Sequence, residues 1–343
     1  MGIQKTNLNE EKIKELLKEN YDIEVLSVEE INRGTANIFK VESLEEKYLL
    51  KEFNEKRTLE SIEKEIDIIN FLKNKGISVP KYISTIKQEF YIKNEDRIII
   101  LQEYVDGYTM ENNTGDYDKV IESAEILGKV TKALLDYPEM SEENIIEKNF
   151  SKENTINKIQ KMKELILNLK DDNKYRERFK EELEFKIKVS NEIVDSFNFD
   201  VIRKLTIINA HGDFSVQQLI YNDEKETTVI DFETAKKMPI IWEVMRSYSY
   251  VDKEAVNGEL NIDTLVEYVK SFSKYIKLNK YDLKYAADLY LIQLAASPFG
   301  YKEYNNDYTQ LGLLNFAFFR TNLCKYLYKN KDIISKRLLE EIE

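Results

Sequence analysis

The sequence predicts an α+β protein of two lobes: a small antiparallel β-rich N-terminal lobe over residues 1–104 and a mostly helical C-terminal lobe over residues 105–343. Three observations predict it. Short alternating apolar runs crowd into the first part of the chain around one helix-spaced stretch. After Gly107 the apolar spacing becomes helical and stays so almost to the C-terminus. Two short strand-like runs break into that helical half, one leading to Asp213 and the other to Asp231.

In order, Glu24–Val28 alternates like a strand and Asn32–Asn37 reads as a turn. Ile38–Val41 and Lys47–Phe53 read as two further strands. Ile62, Ile66, Ile69 and Leu72 then repeat at helical spacing, and Gly76 with Pro80 closes that helix. Strands around Phe90–Ile92 and Arg97–Leu101 complete the lobe. In the second lobe Val120, Ala124, Leu127 and Val130 share one helix face. The charged stretch from Lys152 to Phe197 keeps apolar residues at helical spacing and reads as one or two solvated surface helices. Helices resume at Trp242. There is no internal repeat and no flexible linker.

Composition narrows the chemistry. The chain has 343 residues, 42% of them hydrophobic and 33% charged, enough for a sizeable core beneath a well-solvated surface. His211 is its one histidine and Cys324 its one cysteine. A Ser–His–Asp set away from His211 is therefore unavailable, and a Cys/His zinc site is disfavoured. The single Cys rules out a disulfide framework and fits a reducing cytosol. No signal-like or membrane-spanning apolar stretch is present, so a cytoplasmic location is expected. A net charge of -12 argues against general nucleic-acid binding, which needs a basic face, and is compatible with a cationic small-molecule substrate.

The remaining candidates are carboxylates, lysine and a bound ion. Lys51 lies on the third strand, and Glu65 on the following helix can hold its ammonium towards a phosphate. The segment Arg33-Gly34-Thr35-Ala36-Asn37 has one glycine, a poor phosphate cradle and by itself an ordinary hairpin. In His211-Gly212-Asp213-Phe214-Ser215-Val216-Gln217-Gln218 an acid and an amide stand five residues apart, able to place a base and a metal-binding oxygen on one loop. Eighteen residues beyond Asp213, Val229-Ile230-Asp231-Phe232-Glu233 offers a carboxylate for Mg²⁺ on nucleotide phosphates. No GxxxxGK[ST] occurs.

HGDFSVQQL and VIDFE resemble the catalytic and metal loops of the aminoglycoside phosphotransferase and choline kinase superfamily, which has a protein-kinase-like fold. The ordered match runs from about residue 22 to about residue 250. The resemblance implies ATP and Mg²⁺ as cofactors, Asp213 as the catalytic base, and Asp231 with Gln218 as metal ligands. It further implies nucleotide contacts from Gly34, Asn37, Lys51, locked by Glu65, and a hinge at Glu103, Tyr104 and Val105. His211 would brace the catalytic loop. The implied activity is transfer of the γ-phosphoryl group of ATP to a hydroxyl of a small molecule. The alternative is a nucleotide-binding pseudokinase or spore-coat-type relative without transfer.

One position departs from the family pattern, and a second departs only from that of the protein kinases, an acid there resembling the small-molecule members. Gln218 stands where Asn is usual, adding one methylene before the amide oxygen. Glu233 stands where protein kinases have Gly, and can touch metal or substrate or cap the following turn. Pro239–Arg246 reads as the start of a helix under the site, with Glu243 and Arg246 spaced to pair and Trp242 in the core. Tyr290, Gln293 and Tyr301 are candidate substrate contacts.

Overall fold

The computed structural model describes residues 6–31, 36–54, 57–138, 140, 145–224 and 226–342. In chain order the elements begin α1 (Glu10–Tyr21), β1 (Val25–Ile31), β2 (Asn37–Ser43), β3 (Lys47–Glu52), α2 (Leu59–Asn74), β4 (Ile92–Asn94) and β5 (Arg97–Glu103). There follow α3 (Tyr117–Leu134), α4 (Ile145–Phe150), α5 (Lys152–Leu167), α6 (Arg176–Ser196), β6 (Ile207–Ala210), β7 (Leu219–Ile220), β8 (Thr228–Val229) and β9 (Lys236–Pro239). The chain ends with α7 (Ile240–Val251), α8 (Ile262–Ser273), α9 (Lys280–Ala295), α10 (Tyr301–Asn306) and α11 (Leu311–Ile342).

Two compact units result: residues 1–109 with 218–234, and residues 110–217 with 235–343. Relative to a single cut at residue 104, the first unit also takes residues 105–109 and the β7–β8 hairpin. The reason is backbone pairing. Tyr108 and Tyr221 exchange N–H···O bonds at 3.0 and 2.8 Å, and the Val229 N–H donates to the Ser78 carbonyl at 2.9 Å. Gly107 permits that approach: its φ is +148°, and a Cβ there would lie 2.3 Å from the Tyr221 carbonyl oxygen.

The first unit is built on an antiparallel sheet of order β1-β2-β3-β5-β4. Its strands alternate with period two. Phe39, Val41, Tyr48, Leu50, Ile99 and Leu101 face one way and pack with Ile13, Leu17 and Tyr21 of α1. These three recur every four residues, which gives α1 a single apolar stripe, and Asn9 caps its first turn. Lys51 belongs to the opposite face, its cross-strand partners being Ile38 and Ile100. α2, capped by Thr58, buries Ile62, Glu65, Ile66, Ile69 and Leu72.

In the second unit α11 packs along α9, α3 along α8, and α5 along α6. The Lys152–Phe197 stretch forms two helices, and α6 is more than a surface helix. It buries Phe179, Leu183, Lys186, Val189 and Ile193, and joins a core with Met162, Tyr301, Tyr304 and Leu314. β6 pairs antiparallel with β9. That short strand is held from both sides. Asp282, in the capping box of α9, accepts the Thr206 N–H at 2.8 Å and its hydroxyl at 2.6 Å. The Asn209 amide donates to the carbonyls of Leu134, Tyr137 and Pro138 and accepts from the Met140 N–H. The chain therefore leaves β6 at Ala210 from a fixed position.

Candidate active site

The loop after β6 carries His211, Gly212 and Asp213. Gly212 has φ +88°, a left-handed conformation that turns the chain without a Cβ clash. His211 is fully buried and edge-on to Phe214. The Asp213 N–H donates to its Nδ1 at 3.4 Å, which assigns the ring proton to Nε2.

Asp213 keeps 44% of its side chain exposed, and its Oδ1 pairs with Nη2 of Arg246. The same guanidinium donates through Nη1 to the Phe214 carbonyl at 2.9 Å. Its plane is confined by the Trp242 and Tyr250 rings, 5.8 and 4.8 Å from Cζ and one helical turn to either side. Glu243, wholly buried, accepts the Phe214 N–H on Oε1 at 3.2 Å. Glu243 and Arg246 share a face of α7, as their spacing requires, but they do not form the expected ion pair. Each reaches the loop after β6 instead, because that loop presents a carboxylate and a carbonyl to the cation and an N–H to the acid.

The first unit assembles a separate group of charges. Asp231 follows β8, is exposed, and has φ +69°, a sparsely populated conformation for a residue with a side chain. Gln218 stands opposite at the open end of the same hairpin, its carbonyl accepting the Ile230 N–H at 2.9 Å. Among the described residues no three His, Cys, Asp or Glu side chains converge as a metal cage. A donor set of one carboxylate and one amide suits Mg²⁺, which retains water and takes phosphate oxygens as ligands.

The expected Lys51–Glu65 ion pair is replaced. Glu65, nearly buried on α2, pairs with Nη2 of Arg57 at 2.5 Å, and Nη1 of Arg57 lies 3.3 Å from Glu233. A forked guanidinium can serve two carboxylates at once, which a lysine ammonium on the strand does less well. Lys51 acts on Glu65 from a longer distance. Burial raises the Glu65 pKa, and Lys51 and then Arg57 oppose that shift. Glu233 is thereby tied to α2, which packs against the turn Phe232–Thr234.

The other candidates divide. Asn37 is directed to the face opposite Lys51, where its amide donates to buried Glu52 at 2.8 Å beside Arg97. Gly34 lies outside the described residues. In the segment expected to be the hinge, the Glu103 N–H donates to the Lys81 carbonyl and the Tyr104 N–H to the Lys47 carbonyl, at 2.8 and 3.0 Å. The Val105 N–H is not among the hydrogen-bonded amides of the described residues. Of the C-terminal candidates, Tyr301 is buried against Glu182 and Thr321 and serves the helical core. Arg57 was not legible as a site residue, because a lone arginine before a helix cap carries no pattern.

Comparison with known proteins supplies the family. Residues 27–262 match the model of the phosphotransferase enzyme family, APH. Spectinomycin phosphotransferase APH(9)-Ia, solved with ADP and spectinomycin, superposes with TM-score 0.67 at 15% identity, covering 95% of this chain and 100% of that one. An aminoglycoside phosphotransferase from Alicyclobacillus acidocaldarius gives 0.66 at 14% identity, covering 97% and 98%. Choline kinase from Cryptosporidium parvum gives 0.60 at 15%, covering 96% and 98%. No curated protein sequence matches the chain. The α+β, two-lobed, protein-kinase-like fold expected from the sequence is thus the fold of these enzymes, and the chain belongs to the phosphotransferase enzyme family.

Proposed function

We propose that the protein transfers the γ-phosphoryl group of ATP to a hydroxyl of a small molecule. The observation that carries the reading is the Asp213 carboxylate. One oxygen is held by Arg246, and the other has no protein partner among the described residues and stands on a half-exposed side chain. That is the arrangement required of a group that must orient a hydroxyl and take its proton as the oxygen–phosphorus bond forms. The bond from the γ-phosphorus to ADP breaks in the same displacement, leaving a phosphate ester and ADP.

Lys51 would contact the α- and β-phosphates, with Glu65 and Arg57 fixing the charges around it. The Val105 N–H, being uncommitted, is the hinge donor available to adenine. Asp231 and Gln218 would hold Mg²⁺. When bound, Mg²⁺ supplies neutralisation of charge on the transferring phosphoryl group. Relatives solved with ADP, or with AMP-PNP and Ca²⁺, support nucleotide binding here by analogy. No helix among the described residues is long and apolar enough to cross a membrane, in keeping with a small-molecule substrate met in solution.

The test is thermal stabilisation by ATP with and without Mg²⁺, in the native chain and in Asp231→Asn. At ligand around 100 times its dissociation constant, binding contributes about 2.7 kcal/mol. A Mg²⁺-dependent shift that the variant loses supports the reading. No shift at millimolar ATP overturns it, and a shift without phosphoryl transfer to any hydroxyl compound identifies the nucleotide-binding relative without activity.

A further inference from the structure

The second unit contains a buried guanidinium that no acidic side chain balances. Arg320 of α11 is 6% exposed. Its Nη2 donates to Oε1 of Gln293 at 3.0 Å and its Nη1 to the Ser297 hydroxyl at 3.4 Å, both neutral acceptors. Its Nε is buried without a partner, and no ion pair to Arg320 occurs among the described residues. A buried cation in this state is costly unless an anion completes it.

The surrounding charges do not supply that anion. Lys158 of α5 makes no ion pair among the described residues; burial lowers its pKa, and Arg320 and then Lys161 lower it further. Glu182, the nearby acid, is engaged by Arg178 at 2.9 Å and by the Tyr301 hydroxyl. Lys186 has a structural explanation. Its ammonium donates at 3.0 Å to the carbonyls of Leu294 and Ser297, capping the negative end of α9. Arg320 and Lys158 have no comparable explanation.

This cation is linked to the catalytic loop by aromatic rings. The Arg320 guanidinium lies 5.6 Å from the Phe316 ring, which is 5.8 Å from the Tyr250 ring. Tyr250 in turn lies beneath Arg246, the partner of Asp213. The margin is accessible: Gln293 and Ser297 are half-buried, and Phe299, edge-on to Phe316, is 40% exposed.

We propose that Arg320 anchors an anionic oxygen group of the acceptor, a carboxylate or a phosphate, while the aromatic wall holds its body and Asp213 receives its hydroxyl. The role of Asp213 rests on the function proposed above; the anion anchor stands on the second unit alone. It differs from the cationic acceptor with which the net charge of -12 is compatible: whole-chain charge governs long-range attraction, whereas local partners set specificity.

The test is a nucleotide-free titration of the full chain with benzoate, benzamide, benzylamine and inorganic phosphate, followed by calorimetry. Saturable binding of benzoate or phosphate is expected, with affinity falling about 10–100-fold in Arg320→Gln. The comparison of benzoate with benzamide and benzylamine needs no variant, so it keeps the test valid if Arg320→Gln fails to fold. Stronger binding to benzoate assigns a carboxylate acceptor, and stronger binding to phosphate a phosphate ester. Benzylamine binding more tightly than both anions, an affinity unchanged in Arg320→Gln, or no saturation by either anion would overturn the proposal. ATP with Mg²⁺ is titrated separately. Anion binding without an ATP response removes the kinase reading and leaves the anchor; an ATP response without anion binding removes the anchor alone.

Discussion

Arg246 holds Asp213 from the middle of α7, and the same guanidinium holds the carbonyl of the next residue, Phe214. The carboxylate that would accept the substrate proton is therefore fixed at its side chain and at its backbone by one cation. Replacing Asp213 with Asn keeps a hydrogen-bond acceptor but removes the base. Turnover should fall by roughly 10²–10⁴ with ATP affinity nearly unchanged. Steady-state kinetics beside nucleotide titration checks this, and full activity in the variant would remove Asp213 from the role.

Arg246 is a positioning residue in this scheme. Arg246→Met leaves Asp213 Oδ1 and the Phe214 carbonyl without their donor and should lower stability by about 2–4 kcal/mol. Arg246→Lys restores a charge without the fork, so it should recover stability in part while turnover stays depressed. Chemical denaturation with the kcat of both variants separates the two effects. Equal kcat in Lys and wild-type proteins would show that the fork is dispensable.

Two of the five glycines at positive φ among the described residues, Gly76 and Gly107, give a graded comparison. Gly76→Ala, at φ +79° with nothing within 4 Å of the added Cβ, meets conformational strain alone, and about 1–2 kcal/mol of stability should be lost. Gly107→Ala meets that strain and a Cβ 2.3 Å from a backbone oxygen, so its loss should be larger, on the order of 3 kcal/mol or more. Thermal melts of the two variants side by side test the order.

Arg57→Ala should strip Glu65 and Glu233 of their shared cation. Because burial raises the Glu65 pKa and Arg57 is one of two cations opposing the shift, its removal favours the protonated acid. We expect ATP affinity to fall about tenfold at neutral pH. Isothermal titration measures it; an unchanged affinity would make the Arg57 bridge structural only.

Lys186 predicts a pH dependence of stability. Burial pushes its ammonium down to about 8, below the lysine range of the unfolded chain. Between about 8 and the ordinary lysine value near 10, the unfolded chain binds more protons at this site, so stability contributed by the group rises with pH. The gain should be on the order of 1–3 kcal/mol and absent in Lys186→Met, as read by urea denaturation across that window.

The sequence carried the acids and their order. Asp213 and Asp231 each follow a strand-like run, and the strand–helix–strand arrangement of the first hundred or so residues was legible from alternation and helical spacing. Helix α1 was also encoded, in Ile13, Leu17 and Tyr21 at four-residue intervals, but its charged surroundings masked the stripe. Pairings were another matter. Glu65 could reach Lys51 or Arg57, and Arg246 could reach Glu243 or Asp213, from the same local spacing. Likewise Arg320 and Lys158, more than 160 positions apart, gain meaning only once helix packing buries the first without an acid. Local periodicity is set by backbone geometry and so can be read along the chain. Which charge finds which partner depends on distances between elements remote in sequence, and only the tertiary structure fixes those.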